Sequence, residues 1–516
     1  MIMKRLKHIL PTVAMVLVGI FATKNVMAAD TLIQEDITSL RDSFDMNLGE
    51  GTYAGVSITG DEINNPNIMA LVTKHFNAVT FGNELKPDCM FGYSNHTCPE
   101  LISYDFNGEE FIAPKMDFSR AEKMLNYIDG WNKDNPDRKI KVRGHVLVWH
   151  SQTPEWFFHE DYDKSKPYVS KTVMDKRQEW YIKEVITHFV DKYPDTFYGW
   201  DVVNEAVSDA TGDYRTDTEN GGDSLEDDTH GSKSSWWKVY QSNEYIINAF
   251  KYANKYAPDY VELYYNDYNE CNPLKSNGII KLLEDVKAAE GTRIDGFGMQ
   301  GHYDMTQPTG GQVKIAAIRY AEVVGNVALT ELDLKASSSY DGSPEEKEKE
   351  YRRQYMKYKE IYQALSELVD EGVTVRTVTV WGVIDRNSWL QTFNNVGGGA
   401  SGKQKQCPLL FDDDYQAKPL FYALCNEPVP EKVEEDTKDN IEEETEEALE
   451  ATDEVEAVEE TSEASPLKEE QGLQEDNKEE ETETESKSNR SGFIIILLAV
   501  VSLLLINRNI RKNEKK

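Results

Sequence analysis

Two glutamates stand out for where they sit. Glu205 closes the run FYGWDVVNE (197–205), directly after Asn204, and Glu331 lies in NVALTELDL (326–334), two residues before Asp333. An apolar run ending in a carboxylate is costly unless the carboxylate finds partners or work. A pair of carboxyls flanking a cleft is what cleavage of a glycosidic bond requires: one holds a proton for the leaving oxygen, and the other stays ionised against an oxocarbenium-like carbon. The two surroundings suit that division. His302 and Asp333 are available to hydrogen-bond around Glu331 and orient it as an anion, whereas the apolar run before Glu205 disfavours charge there.

These residues need elements to carry them, and the chain from about 32 to 428 repeats one rhythm. Runs rich in Val, Ile, Tyr and Trp occur at 52–58, 77–83, 141–150, 197–205, 260–268, 295–303, 326–334 and 374–383. Between most of them lie segments with apolar residues at three- and four-residue spacing, such as FSRAEKMLNYIDGWNKDN and PLKSNGIIKLLEDVKAAE, which predict helices. Eight strands alternating with helices predict an α/β fold, a closed parallel (β/α)8 TIM barrel. The alternative, an open doubly wound sheet, lacks its Gly-rich phosphate turn after the first strand. In seven of the runs the polar groups come at the C-terminal end: Asn83, His145 with Trp149, Asn204 with Glu205, Asn266 with Tyr268, Gln300 with His302, Glu331 with Asp333, and Trp381. In a barrel those ends converge on one mouth, where sites of this fold are built. Trp149, Trp156, Trp381 and Trp389 lie beside these tips and offer faces on which sugar rings stack, though each is equally suited to core filling.

Composition bounds the rest. The 516 residues carry a formal net charge of −36, more than half of it between Glu431 and Arg490. An acidic body without basic clusters argues against a nucleic-acid partner. Residues 1–29 read as a signal peptide, with basic Lys4, Arg5 and Lys7, an apolar stretch and small residues for cleavage after Ala28 or Ala29. The segment 429–490 is too acidic and too poor in aromatics to fold and reads as a disordered linker. The apolar segment 491–507 reads as a short transmembrane anchor, and the basic tail 508–516 as its cytoplasmic flank. The expected product is an exported, monomeric body held on the outer face of the cell membrane. Among five cysteines, Cys89 with Cys98 and Cys407 with Cys425 are candidate disulfides, and no spacing suggests zinc. The insertion 208–233 after the fourth run reads as a solvated acidic loop; shaping the cleft and binding Ca2+ are the alternatives, and its spacing fits an EF-hand poorly.

Six stretches, GNELKPD, RGHVLVWHSQTPEWF, WDVVNEA, GMQGHY, LTELDL and WGVIDRNSW, together resemble the successive motifs of glycoside hydrolase family 10, the endo-β-1,4-xylanases. The resemblance implies retaining hydrolysis of internal bonds in xylan and xylo-oligosaccharides, with no cofactor and no metal. It implies Glu205 as acid/base, Glu331 as nucleophile, and Asn204, Gln300, His302 and Asp333 as their support. Asn83, Lys86, His145, Trp149 and Gln152 would line the glycone side, Trp381 and Trp389 the floor and wall, and Tyr268 the aglycone side. Gly82 stands where the family commonly has Glu, which removes a hydrogen bond to a distal glycone sugar. A retaining β-1,4-glucanase or mannanase on the same barrel, or a noncatalytic glycan-binding module, are the competing readings.

Overall fold

The predicted runs become parallel strands because their side chains are largely apolar, with the buried polar ones paired, as burial between a filled barrel interior and an outer ring of helices demands. A computed structural model describes residues 31–49, 51–219, 232–392 and 405–430. Its strands are β1 (Tyr53–Ile58), β2 (Ala78–Phe81), β3 (Leu101–Phe106), β4 (Glu109–Pro114), β5 (Lys141–Trp149), β6 (Phe197–Asn204), β7 (Glu262–Asp267), β8 (Gly296–Met299), β9 (His302–Asp304), β10 (Asn326–Lys335) and β11 (Thr374–Val380). Eight of them, in the order β1, β2, β5, β6, β7, β8, β10, β11, pair in parallel, and β11 pairs with both β10 and β1. The sheet is therefore closed, which excludes the open doubly wound alternative.

The run 295–303 divides into β8 and β9 around Gln300 and Gly301; Gly301 has φ +81°, a left-handed conformation that interrupts the strand. The helices Ser119–Asp134, Lys171–Lys192, Glu244–Tyr256 and Pro273–Ala288 fill the predicted helical segments. Several begin on side-chain caps: the Ser170 hydroxyl accepts from Val173 N, and the Asn272 side chain accepts from Leu274 N and Lys275 N. The interior is filled to contact. A Cβ at Gly144 would come within 2.3 Å of the buried Trp200 ring, which faces the helix Lys171–Lys192, while on the opposite face of the same strands Arg143 and Asp201 form a buried ion pair inside the barrel.

The antiparallel hairpin β3–β4 lies outside the barrel and was not among the predicted strands. Neither candidate disulfide is present: Cys89, Cys98, Cys407 and Cys425 are free thiols, as is Cys271. The Cys98 thiol donates to its neighbour's carbonyl at Pro99 (3.2 Å), while Cys407 packs with Ala336 and Tyr340 in a small cluster apart from the main core that holds Cys425. Proximity in sequence did not bring the sulfurs together. The expected segments 1–29, 491–507 and 508–516, and the acidic stretch beyond Pro430, lie outside the described residues. Among the described residues no helix is long and apolar enough to cross a membrane.

Candidate active site

Strand β6 is buried along its whole length, so its register fixes what its tip presents. Asn204 ends the strand and Glu205 follows with φ +54°, a left-handed conformation that costs a non-glycine residue roughly 1 kcal/mol or more and turns its side chain out of the strand's alternation. The carboxylate of Glu205 accepts from three N–H donors: Trp149 Nε1 (3.0 Å), Gln300 Nε2 (2.9 Å) and Asn204 Nδ2 (3.2 Å). The apolar surroundings expected for this group are thus replaced by a polar cradle. The preceding strand is apolar, but the turn at Glu205 carries the carboxylate away from it.

Glu331, on β10, is only 5% exposed. Its Oε1 accepts from Asn266 Nδ2 (2.8 Å), and its Oε2 lies 3.4 Å from His302 Nε2. The other ring nitrogen of His302, Nδ1, is 2.9 Å from Asp333 Oδ1, and Asp333 Oδ2 accepts from Trp389 Nε1 (2.8 Å). Parallel pairing of β9 with β10 sets Asp333 opposite His302 and so builds this contact. Burial alone would depress His302, but the charge and hydrogen bond of Asp333, with Glu331 adding to them, raise it well above the ordinary histidine value. Burial likewise pushes Glu331 up, yet the His302 hydrogen bond, the fields of His145 and His302, and the Asn266 hydrogen bond hold it below the ordinary glutamate value. Glu331 is therefore an anion facing an imidazolium, whereas Glu205 faces neutral donors.

Asn266 joins the two. Its single Nδ2 donates both to Glu331 and to Asn204 Oδ1 (2.9 Å), while its Oδ1 accepts from Thr330 Oγ1 (2.6 Å), which fixes the amide's orientation. Gln300 Nε2 also reaches Asn204 Oδ1 at 3.3 Å. From sequence Asn266 is a strand tip without a role; the usable signal is its register, directly opposite Asn204 on neighbouring strands.

The glycone candidates also converge. The buried Lys86 ammonium donates to Gln152 Oε1 (2.9 Å) and Asn83 Oδ1 (3.2 Å) and lies 5.1 Å from the Trp149 ring centroid. Burial depresses its pKa, with Glu331 foremost among the carboxylates opposing that. His145 Nδ1 meets Asp201 Oδ2 at 2.9 Å, so the Arg143–Asp201 pair orients the ring, whose centroid is 5.6 Å from that of Trp381. The Trp381 and Trp389 rings both flank His302, at 6.5 and 5.0 Å. The Tyr268 hydroxyl donates to Asp209 and accepts from Arg215, and burial together with the nearby charge of Glu205 raises its pKa. Trp156 does not reach the mouth at all; it is 1% exposed and packs edge-on against Phe91, so core filling is its role. Gly82 has ordinary backbone, and a Cβ there would lie 3.3 Å from Thr59 and 3.4 Å from Ser57. Among the described residues no cluster of three or more His, Cys, Asp or Glu could hold a metal ion, and 220–231 of the acidic insertion lie outside them. Arg143 and Asp201 were missed because they are far apart in sequence, and Arg215 because only a hairpin inside the acidic insertion brings it back to Glu205.

Fold and site together define a class: a (β/α)8 barrel whose mouth holds two strand-tip glutamates in distinct hydrogen-bond settings, ringed by amides and aromatics. The model of glycosyl hydrolase family 10 matches residues 40–427, and the chain belongs to that family. It is 34% identical over 378 residues to endo-1,4-beta-xylanase Y of Acetivibrio thermocellus, an alignment covering 72% of this chain and 31% of the relative. It is 33% identical over 363 residues to an endo-1,4-beta-xylanase of Geobacillus stearothermophilus, covering 69% of this chain and 91% of the relative. The chain spans about a third of the length of the first curated relatives it matches. Among solved structures, the xylohexaose complex of the CBM22-1–GH10 modules of a Clostridium thermocellum xylanase superposes with TM-score 0.60 at 32% identity, over 75% of this chain and 67% of that one. An intracellular xylanase from Thermoanaerobacterium saccharolyticum gives 0.58 at 29% identity, over 76% and 99%.

Proposed function

We propose that this chain is an endo-β-1,4-xylanase that hydrolyses internal xylosidic bonds with retention, Glu205 acting as acid/base and Glu331 as nucleophile. The single observation carrying this reading is the asymmetry of the two glutamates. Glu331, held ionised and aimed by His302 and Asn266, attacks the anomeric carbon while Glu205 gives its proton to the departing glycosidic oxygen. A glycosyl-enzyme forms through Glu331; Glu205 then takes a proton from water, which attacks the same carbon and restores the carboxylate. Asn204 has its carbonyl occupied by Asn266 and Gln300 and one amide N–H directed at Glu205, leaving the second N–H to meet the sugar 2-hydroxyl, a contact that strengthens in the transition state. Asn83, Lys86, His145, Trp149 and Gln152 would hold the glycone, Trp381 and Trp389 stack on it, and Tyr268 meet the aglycone.

The relatives' xylanase names support xylan over glucan or mannan. Reducing-sugar release from xylan, set beside carboxymethylcellulose and mannan, separates these readings, and binding without release would favour the noncatalytic module. Glu331→Ala should lower xylan turnover at least about 10⁴-fold while leaving xylan binding intact; unchanged turnover refutes the assignment. The sequence pattern of the termini supports an exported, membrane-anchored enzyme. Fractionation of cells carrying the full chain, with and without 491–516, tests that placement.

A further inference from the structure

The backbone of Glu205 is gripped at three successive points. Its N–H donates to Asn266 O (2.9 Å), its carbonyl accepts from Arg215 Nε (2.9 Å), and the next N–H, that of Ala206, donates to Tyr265 Oη (2.9 Å). Two of these grips come from β7, the neighbouring strand. The third comes from the acidic insertion, which folds back at once: Val207 pairs antiparallel with Tyr214, Ser208 N donates to Asp213 O (2.8 Å), and Arg215 N donates to Ala206 O (2.8 Å). This hairpin sets Arg215, 3% exposed, beside the residue it holds. The remaining guanidinium nitrogens donate to Ser232 O (2.9 Å) and Tyr268 Oη (3.3 Å), so one side chain ties Glu205 to the far end of the insertion and to the aglycone-side tyrosine. A planar fork with fixed donors is suited to bridging three acceptors in this way; an ammonium is not.

A left-handed φ at a non-glycine residue persists only where surrounding contacts over-determine it. We infer that Arg215 is a positioning residue for Glu205: it holds the strained backbone so that the carboxyl meets the departing oxygen, and it never touches substrate chemistry itself. The inference rests on Glu205 being the acid/base, and it goes beyond that reading by assigning the insertion's first hairpin to proton delivery.

The test exploits the leaving group. A sugar hydroxyl leaves only with a proton, whereas dinitrophenolate needs none, so a misplaced acid slows the first and spares the second. Arg215→Met, Arg215→Lys and Glu205→Ala should each be assayed for kcat/KM, which reports glycosylation, on linear xylo-oligosaccharide and on dinitrophenyl β-xylobioside, with melting temperatures alongside. Arg215→Met is expected to lose about 10- to 100-fold on the oligosaccharide and less than about threefold on the aryl substrate. Arg215→Lys should show the same selectivity more mildly, and it decides the matter if the Met variant does not fold. Equal losses on both substrates, or none on either, overturn the inference while a selective Glu205→Ala leaves the acid/base assignment standing. An unselective Glu205→Ala overturns both.

Discussion

The two carboxylates are chemically identical side chains that their neighbours make different. Glu331 has an imidazolium, held by Asp333, and a buried amide; Glu205 has an indole and two amides, all neutral. Because Glu331 is held below 4.5, its anion survives as pH falls through that value, and the acid limb of kcat/KM should lie below pH 4.5. His302→Asn removes the strongest of the contributions that oppose burial, so the limb should move upward, together with a fall in kcat/KM. A pH–rate profile with an unmoved limb would contradict this account of Glu331. The sign for stability runs the other way for His302. Its raised value gives stability that is fully present below about pH 6.5 and lost as pH climbs through the folded value.

At the scale of elements, the barrel was legible because a parallel strand buried on both faces is written as a continuous apolar run with a polar tip, and eight such runs have few other solutions. What lies off the barrel was not. The hairpin β3–β4 turns at Asn107 and Gly108, with φ +57° and +84°, and that Asn-Gly pair was an available signal hidden by the weak alternation around it. The roles of Asn266 and Arg215 depend on register between β6 and β7 and on a hairpin inside an acidic insertion, neither of which periodicity specifies. Cysteine spacing misled for the same reason: it gives distance along the chain and no direction in space. Element packing itself makes a prediction. Trp200 fills the space beside Gly144 on β5, the strand that carries His145 and Trp149, so Gly144→Ala should lower stability by about 1–3 kcal/mol in denaturant titrations. An unchanged midpoint would mean that the layer between β5, β6 and the helix Lys171–Lys192 is looser than its contacts imply.

At the scale of the whole molecule, closure joins the two ends of the barrel sequence. Strand β11 pairs with β1, the Ser43 hydroxyl donates to Cys425 O (2.6 Å), and Ala417 N donates to Gln34 Oε1 (2.7 Å). Closure brings the tips of β6 and β10 to one mouth, and with them the paired glutamates, although Glu205 and Glu331 are remote in sequence. The proposed reaction depends on that convergence, and its stereochemistry reports it, since a nucleophilic Glu331 gives two inversions and a water-activating one gives a single inversion. The most direct test is proton NMR of the anomeric region during the first minutes of xylohexaose hydrolysis. The β-anomer of the newly formed reducing end should appear first and mutarotate to the α-anomer; initial appearance of the α-anomer would contradict the double displacement through Glu331.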